Sequence, residues 1–177
     1  MILILSDSKE KAKNLQKFLL KNGIFCNVNS DRDTALFSSS ACIALGGYIS
    51  PVCEIPTFQA KNEKDSGILS FIEKYAPYET ESYSYKQLTV GNNRDNVFYL
   101  GYPLTLTNTE FAILRLFAKF EGNNLSAETI ADYCALSGSS KSVSLHIFNI
   151  NGKAKEIGGR TLIKNNQKSG YFLNNEM

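Results

Sequence analysis

One periodic segment near the C-terminus constrains the fold more than any other feature of this sequence. Residues 141–159 read KSVSLHIFNINGKAKEIGG, and apolar residues recur in this segment at spacings of 4, 3, 4 and 3. At about 100° per residue on a helix, they form one narrow stripe of the kind that packs against a domain core. The stripe consists of Val143, Ile147, Ile150, Ala154 and Ile157.

Two large apolar residues of the same helix lie off this stripe. Leu145 and Phe148 fall on the opposite side, among serine, asparagine and lysine residues. Since the stripe already supplies the core contact, these two side chains are expected to contact something else. The residues that share the opposite side or its edges are Lys141, Ser142, Ser144, His146, Asn149, Asn151, Gly152, Lys153 and Lys155.

A well-marked helix start precedes this segment. In LTNTEF, Thr107 and Glu110 have the spacing of a capping box. Leu106 and Phe111 have the spacing of a hydrophobic staple, which fixes how the chain enters a helix. A helix is therefore predicted to begin here and to be terminated by Gly122.

The remaining elements of this half complete a recognisable order. LSAETI repeats the cap with Ser126, and its helix is predicted to run to about Leu136, followed by a turn at 137–140. Strands are predicted at 160–164 and 170–174, around the amide-rich tip NNQKS. Helix, helix, turn, helix and hairpin in this order predict a winged helix-turn-helix, an α+β domain.

The domain limits come from composition and from an earlier hairpin. Two β-rich runs, 88–90 and 97–100, flank the turn cluster GNNRDN and predict a hairpin before the first capped helix. The polar segment APYETESYSY, which is short of aliphatic residues, precedes it. We therefore expect a first domain at 1–77, a linker at 78–85 and a second domain at 86–177.

The first half alternates strand and helix patterns, which predicts an α/β domain with a flavodoxin-type parallel sheet. Asp7 and Glu10 have cap spacing before a helix with Leu15 and Leu19 on one face, and Gly23 follows as its stop. The strand candidates are 2–5, 24–28, 41–45 and 55–59. The further helix candidates are 33–39 and 66–75.

The carboxyl ends of the strands, where such sheets place their sites, carry little chemistry. The first strand ends in Ser6-Asp7-Ser8 and the third in Gly46-Gly47-Tyr48. A magnesium site needs two or three oxygen ligands, and no phosphate-binding loop follows the glycines. Asp7 is more simply interpreted as a helix cap, and neither a cofactor nor an enzymatic activity is expected.

The cysteine, histidine and hydropathy patterns argue against a zinc-binding, a membrane-spanning and a secreted protein. Cys26, Cys42, Cys53 and Cys134 form no C-x-x-C pair, and His146 is the single histidine, so no zinc site is expected. The apolar runs are too short to cross a membrane, and the N-terminus lacks the pattern of a secretory signal. A cytoplasmic location follows as the expectation.

Charge is concentrated in the second half. Within 138–172 there are six basic residues and one acid. Such a segment is either a solvated basic surface or a surface that faces an anion, and nucleic acid is the commonest large anion.

The segment from residue 88 to residue 173 resembles the DNA-binding effector domain of OmpR/PhoB-type response regulators. The resemblance is carried by LTLTNTEFAILRLF for the first helix, SVSLHIFNINGKAKEIGG for the recognition helix and LIKNNQKSGYFL for the wing. The sequence departs from the family where basic side chains are common, because Phe148, Asn149 and Asn151 stand there instead.

The order of elements in the first half resembles the receiver domain of the same regulators. Receivers carry an acidic pair after the first strand, whereas this chain has Asp7 alone between two serines. The place of the phosphoacceptor aspartate is held by Gly46 or Gly47. The resemblance therefore implies a degenerate receiver that takes no phosphoryl group and serves dimerisation or sensing.

The resemblance implies a transcriptional regulator that binds double-stranded promoter DNA as a homodimer, with RNA polymerase as a further expected partner. Asn149 would pair with an adenine edge, and Leu145 and Phe148 would meet thymine methyl groups. Lysines would contact phosphates, and the wing would reach the adjacent minor groove or backbone. The residues expected to contact DNA are Lys141, Ser142, Ser144, Leu145, His146, Phe148, Asn149, Asn151, Lys153, Lys155, Lys164, Gln167 and Lys168.

Two other interpretations remain open. Leu145 and Phe148 could pack on a partner subunit or another protein, which would make the winged helix an interaction module without specific DNA binding. An enzyme in the first half is the third interpretation, although no catalytic set supports it.

Overall fold

The computed structural model describes residues 2–28, 40–45, 55–77, 81–136, 140–167 and 169–177. The chain divides into two compact units, Met1–Glu81 and Ser82–Met177. Within the described residues, no helix is both long enough and apolar enough to pass through a bilayer.

The first unit is an α/β layer structure. Its strands are β1 (Ile2–Ser6), β2 (Cys26–Val28), β3 (Ala41–Leu45) and β4 (Thr57–Ala60), and its helices are α1 (Lys9–Lys21) and α2 (Gly67–Tyr75). All strand pairs are parallel and the order is β2-β1-β3-β4. This is the order of the first four strands of a flavodoxin-type sheet, so the predicted parallel sheet is confirmed for the described residues.

Burial explains why β1 and β3 read as continuous apolar runs. Both strands lie inside the sheet and are covered on both faces. One face packs against apolar residues of the two helices, including Leu15 and Ile72. The other face forms a smaller cluster around Leu3 and Leu5.

Several boundaries in this unit differ from the sequence prediction. Ser8, not Asp7, caps α1, because its Oγ accepts a hydrogen bond from the Lys11 amide at 3.4 Å. The helix begins at Lys9, which leaves Asp7 outside it. Strands β2 and β4 each begin two residues later than predicted. The predicted helix at 33–39 lies outside the described residues.

The second unit combines a small antiparallel sheet with three helices and a hairpin. The sheet order is β5 (Tyr83–Tyr85), β6 (Leu88–Val90), β7 (Val97–Tyr99) and β8 (Tyr102–Pro103). The predicted hairpin is thus confirmed. The predicted linker is too long at its C-terminal end, since β5 pairs with β6 and belongs to this sheet.

The first two of the three helices begin where the caps predict. Helix α3 is Asn108–Lys119, helix α4 is Ala127–Tyr133 and helix α5 is Ser140–Glu156. The Thr107 hydroxyl accepts from the Glu110 amide at 3.3 Å, and the Glu110 carboxylate accepts from the Thr107 amide at 2.8 Å, which completes the capping box.

The second helix has the predicted start and an earlier end. Ser126 caps α4 by accepting from the Thr129 amide at 3.0 Å. The helix stops at Tyr133 rather than near Leu136 because Ala135 adopts a φ of +51°, a left-handed conformation that a right-handed helix cannot contain.

Helix α5 packs its predicted stripe into the core. Val143, Ile150 and Ala154 are fully buried and Ile147 nearly so. The helix contacts both α3 and α4, which is the packing of a helix-turn-helix. Ile157 lies one residue past the helix end and is half-buried, so the predicted stripe is confirmed except at its last position.

The wing is an antiparallel hairpin of β9 (Ile163–Asn166) and β10 (Gly170–Leu173). Leu125 and Tyr171 exchange two backbone hydrogen bonds, at 2.8 and 2.9 Å, which attach the hairpin to the segment before α4. Gly170 has a φ of +91°, and a Cβ there would overlap the Leu125 carbonyl oxygen, so glycine is required.

Candidate nucleic-acid interface

The outer side of α5 carries an exposed stripe that mirrors the buried one. Its exposed members are Lys141, Leu145, Phe148 and Lys155, and the half-buried Gly152 completes spacings of 4, 3, 4 and 3. Leu145 is 59% exposed and Phe148 is 73% exposed, the highest value among the described large apolar residues. The sequence expectation that these two side chains avoid the core is therefore confirmed.

The edges of the exposed stripe are polar. Ser142, His146 and Asn149 flank the stripe on α5 and are half-buried. This side of α5 therefore carries amide, hydroxyl and imidazole groups as well as the two large apolar side chains.

Ser144 joins the helix to the wing. Its hydroxyl lies 2.8 Å from the hydroxyl of Tyr171 on β10, within hydrogen-bonding distance. Tyr171 also makes the backbone bridge to Leu125. The angle between α5 and the hairpin is thus fixed by a side-chain contact as well as by the backbone, a link that the sequence analysis missed.

Lys153 forms an ion pair with an acidic residue of the same unit. Its Nζ lies 2.6 Å from Oε2 of Glu110, whose side chain is 3% exposed. Burial alone would raise the pKa of Glu110, but hydrogen bonds from Lys153 and from the Thr107 backbone outweigh it, so that the pKa lies below its usual range. The structure therefore gives Lys153 a partner within the second unit, which the sequence analysis did not predict.

Asn151 is also used inside the domain. Its Nδ2 donates to the Ile163 carbonyl at 2.8 Å, while its Oδ1 accepts from the amides of Leu162 and Ile163, both at 3.0 Å. Three hydrogen bonds leave this amide little capacity for a base edge. Asn151 thus holds the first residues of the wing against α5, a role that the sequence analysis did not predict.

The wing carries less free charge than its sequence indicates. Lys164 Nζ lies 2.6 Å from Glu176 Oε2. The guanidinium of Arg160 donates to the Glu176 carbonyl at 2.9 Å. Gln167 is exposed near the tip, whereas Lys168 lies outside the described residues.

Two lysines of the exposed stripe have no acidic partner within the described part of the chain. Among the described residues, neither Lys141 nor Lys155 takes part in an ion pair, and both side chains are exposed. The basic segment thus presents two described cations on α5 to an external anion, fewer than its composition indicates.

Among its described residues, the first unit places no comparable set of groups at the carboxyl ends of its strands. Ser6 accepts a hydrogen bond from the Ser8 amide at 3.1 Å, and Asp7 is exposed. Within the described part of the chain, no group of three His, Cys, Asp or Glu side chains is arranged for a metal ion. Gly46 and Gly47 lie outside the described residues.

The described cysteines are buried. Cys26, Cys42 and Cys134 are free thiols in the interior. Burial raises the pKa of Cys42 to about 11, despite an opposing hydrogen bond from Thr57, and also raises that of Cys134. A thiol that stays protonated at neutral pH is a poor nucleophile and metal ligand, so Cys42 and Cys134 act as small core side chains.

No protein family matches the sequence, and no curated protein does. Among solved structures, the chain is similar to the DNA-binding domain of the response regulator AdeR in complex with an intercistronic region, at 22% identity and a TM-score of 0.48, over 52% of this chain and 98% of that one. It is similar to the DNA-binding domain of CpxR from E. coli at 25% identity and a TM-score of 0.44, over 52% and 94%. Over 97% of both chains it is similar to DrrB, an OmpR/PhoB homolog from Thermotoga maritima, at 14% identity and a TM-score of 0.48.

Proposed function

We propose that this chain is a sequence-specific, DNA-binding transcriptional regulator of the OmpR/PhoB type. The second unit contacts promoter DNA through α5 in the major groove and through the wing beside it. The first unit serves dimerisation or sensing, and the regulator acts as a homodimer without phosphorylation. RNA polymerase is a further proposed partner, and the expected cytoplasmic location stays a prediction.

The exposed stripe of α5 is the observation that carries this proposal. Lys141 and Lys155 are fourteen residues apart on one helix face. They are therefore separated by about 21 Å along the axis, at 1.5 Å per residue. The major groove is about 12 Å wide, so a helix lying in it can bring one lysine to the phosphates of each strand. Such contacts position a protein, whereas the groups between them read the bases.

The groups between the two lysines suit base edges. Asn149 can donate to and accept from an adenine, and Ser142 and His146 can bond to either base type. Leu145 and Phe148 can pack on thymine methyl groups. Gln167 and Lys168 complete the proposed contacts by reaching the minor groove or backbone beside the wing tip.

The proposed independence of phosphorylation rests on the sequence of the first unit. A receiver needs an aspartate where this chain has Gly46 or Gly47, and a second acid beside Asp7. We expect the intact mass to stay unchanged after incubation with a small phosphodonor and magnesium. Addition of one phosphoryl group would contradict this part of the proposal.

The salt dependence of DNA binding tests the proposed interface. Each lysine that neutralises a phosphate contributes about 0.9 to the slope of log K against log salt. We expect Lys141→Ala and Lys155→Ala each to lower the slope by about 1 on a mixed-sequence duplex. Lys13→Ala, which removes an exposed lysine of α1, is the matched control and should leave the slope unchanged. Equal slopes for all four proteins would contradict the assignment.

A protein-interaction module is the second candidate. It is favoured by the strong exposure of Leu145 and Phe148, together with the pairing of Lys153 and Lys164 to acids of the same domain. In this case binding to the partner would depend on Phe148 and would respond weakly to salt, whereas DNA binding weakens steeply as salt rises.

A further inference from the structure

No packing contact explains why glycine, rather than a residue with a Cβ, occupies position 152. Gly152 lies in the interior of α5, where glycine lowers helix stability relative to alanine. A Cβ built at this position meets no protein atom within 4 Å, so neither packing nor close approach of another segment requires glycine. The contrast is with Gly170, where a Cβ would overlap the neighbouring backbone.

The position of Gly152 relates it to the most exposed apolar side chain of the domain. Gly152 follows Phe148 by four residues and therefore lies one turn further along the same face. A helical side chain covers the turn that precedes its own Cα, which here is the turn that carries Phe148. With glycine at 152, the phenyl ring of Phe148 and the surface beside it stay open to a bound molecule.

We propose that Phe148 and Gly152 together form a specificity-determining notch that receives the 5-methyl group of a thymine. The phenyl ring supplies the apolar surface for the methyl group, and Gly152 keeps free the space that the base edge occupies. The class of DNA that α5 prefers is therefore thymine-containing duplex. This inference rests on the proposed function.

The positive charges on both sides of the notch favour a nucleic acid as the molecule that binds there. Lys141 and Lys155 stand on the same stripe, one on each side of Phe148 and Gly152, and neither is in an ion pair with a described residue. An apolar centre between two separated cations matches a base edge between two phosphate strands. A partner helix with a purely apolar face would leave both lysines without a counter-charge.

The test compares two duplexes that differ only in the methyl group. Alternating poly(dA-dT) and alternating poly(dA-dU) present the same hydrogen-bonding groups, and only the former carries the 5-methyl groups. The full chain should bind poly(dA-dT) at least about fourfold more tightly, the factor that corresponds to the burial of one methyl group. Equal affinity of the wild-type chain for both polymers would overturn the inference.

Variants assign the effect to the notch. Phe148→Ala should lose most of the preference for poly(dA-dT), because the phenyl surface of the notch that meets the methyl group is gone. Gly152→Ala should reduce the preference and Gly152→Gln should reduce it further, in order of side-chain size. Since a Cβ at 152 contacts no protein atom, these two proteins should be folded and at least as stable as the wild type to heat. Retention of the full preference by Gly152→Gln would contradict the role of Gly152.

A matched control separates the notch from general apolar exposure. Tyr102→Ala removes a 60% exposed aromatic side chain from β8 of the same unit and should keep the full preference. Loss of the preference in this variant would contradict the assignment. If the wild-type chain binds neither polymer even at low salt, the proposed function fails and this inference fails with it, whereas binding without preference removes the inference alone.

Discussion

Lys153 Nζ lies 2.6 Å from the Glu110 carboxylate oxygen that also accepts the Thr107 amide hydrogen bond. One oxygen thus joins the capping box of α3 to the C-terminal part of α5. The consequence is functional, because this contact fixes how the exposed stripe of α5 is presented. Lys153, although it belongs to the basic segment, therefore acts by holding α5 in position.

Loss of this pair should destabilise the second unit. Lys153→Met keeps the length of the side chain and leaves the buried Glu110 carboxylate without its cation, at a cost of about 1–3 kcal/mol. Urea unfolding of the variant and the wild type measures the difference. Lys155→Met, an exposed neighbour on the same helix, is the control and should change stability little. Equal midpoints for Lys153→Met and the wild type would show that the pair contributes nothing.

Stability should depend on pH through Glu110. The pKa of Glu110 is lower in the folded protein than in the unfolded chain, so its ionisation contributes stability at neutral pH. This contribution is fully present above the unfolded pKa of about 4.3 and is lost as pH falls through the folded pKa. Glu110→Gln should therefore be less stable than the wild type at pH 7, and the difference should shrink in acid. A difference that stays constant down to acidic pH would contradict this account.

The sequence predicted those features whose causes are local. Capping boxes, staples and apolar stripes involve residues within a few positions of one another, and their predicted helices form. The roles of Asn151 and Lys153 could not be predicted in the same way. Lys153 meets a carboxylate 43 positions away, and Asn151 meets backbone groups 11 and 12 positions away. From the sequence pattern alone, both residues are indistinguishable from solvent-exposed polar residues of a helix.

Substitutions of the two asparagines of α5 should have different effects, one on stability and the other on DNA binding. Asn151→Ala removes three hydrogen bonds to the start of the wing and should lower the free energy of unfolding by about 1–3 kcal/mol. Thermal unfolding is the measurement. A variant as stable as the wild type would mean that the wing is held by other contacts.

Asn149→Ala should have the opposite profile. Its side chain is half-buried beside Phe148, and its loss should weaken binding to the preferred duplex by about 1–3 kcal/mol with little change in thermal stability. Titration of that duplex with each asparagine variant gives the comparison. Wild-type affinity in Asn149→Ala would remove this residue from the base contacts.

Gly170→Ala should damage the wing. The added Cβ would collide with the Leu125 carbonyl, and the residue would also have to hold a φ of +91°, which alanine disfavours. We expect a loss of stability greater than 1 kcal/mol, as for other substitutions at positive φ without space. Gly122→Ala, which also has positive φ but open surroundings, is the control and should cost less. Equal losses would show that the collision is relieved at no cost.

The most direct measurement of the central claim is selection of fragmented DNA from the source genome by the purified chain, followed by sequencing of what is retained at moderate salt. The account predicts enrichment of a repeated, thymine-containing half-site, with two copies about 10 base pairs apart if two subunits bind one face of the duplex. Uniform retention that vanishes with salt, or no retention at all, would contradict a sequence-specific regulator.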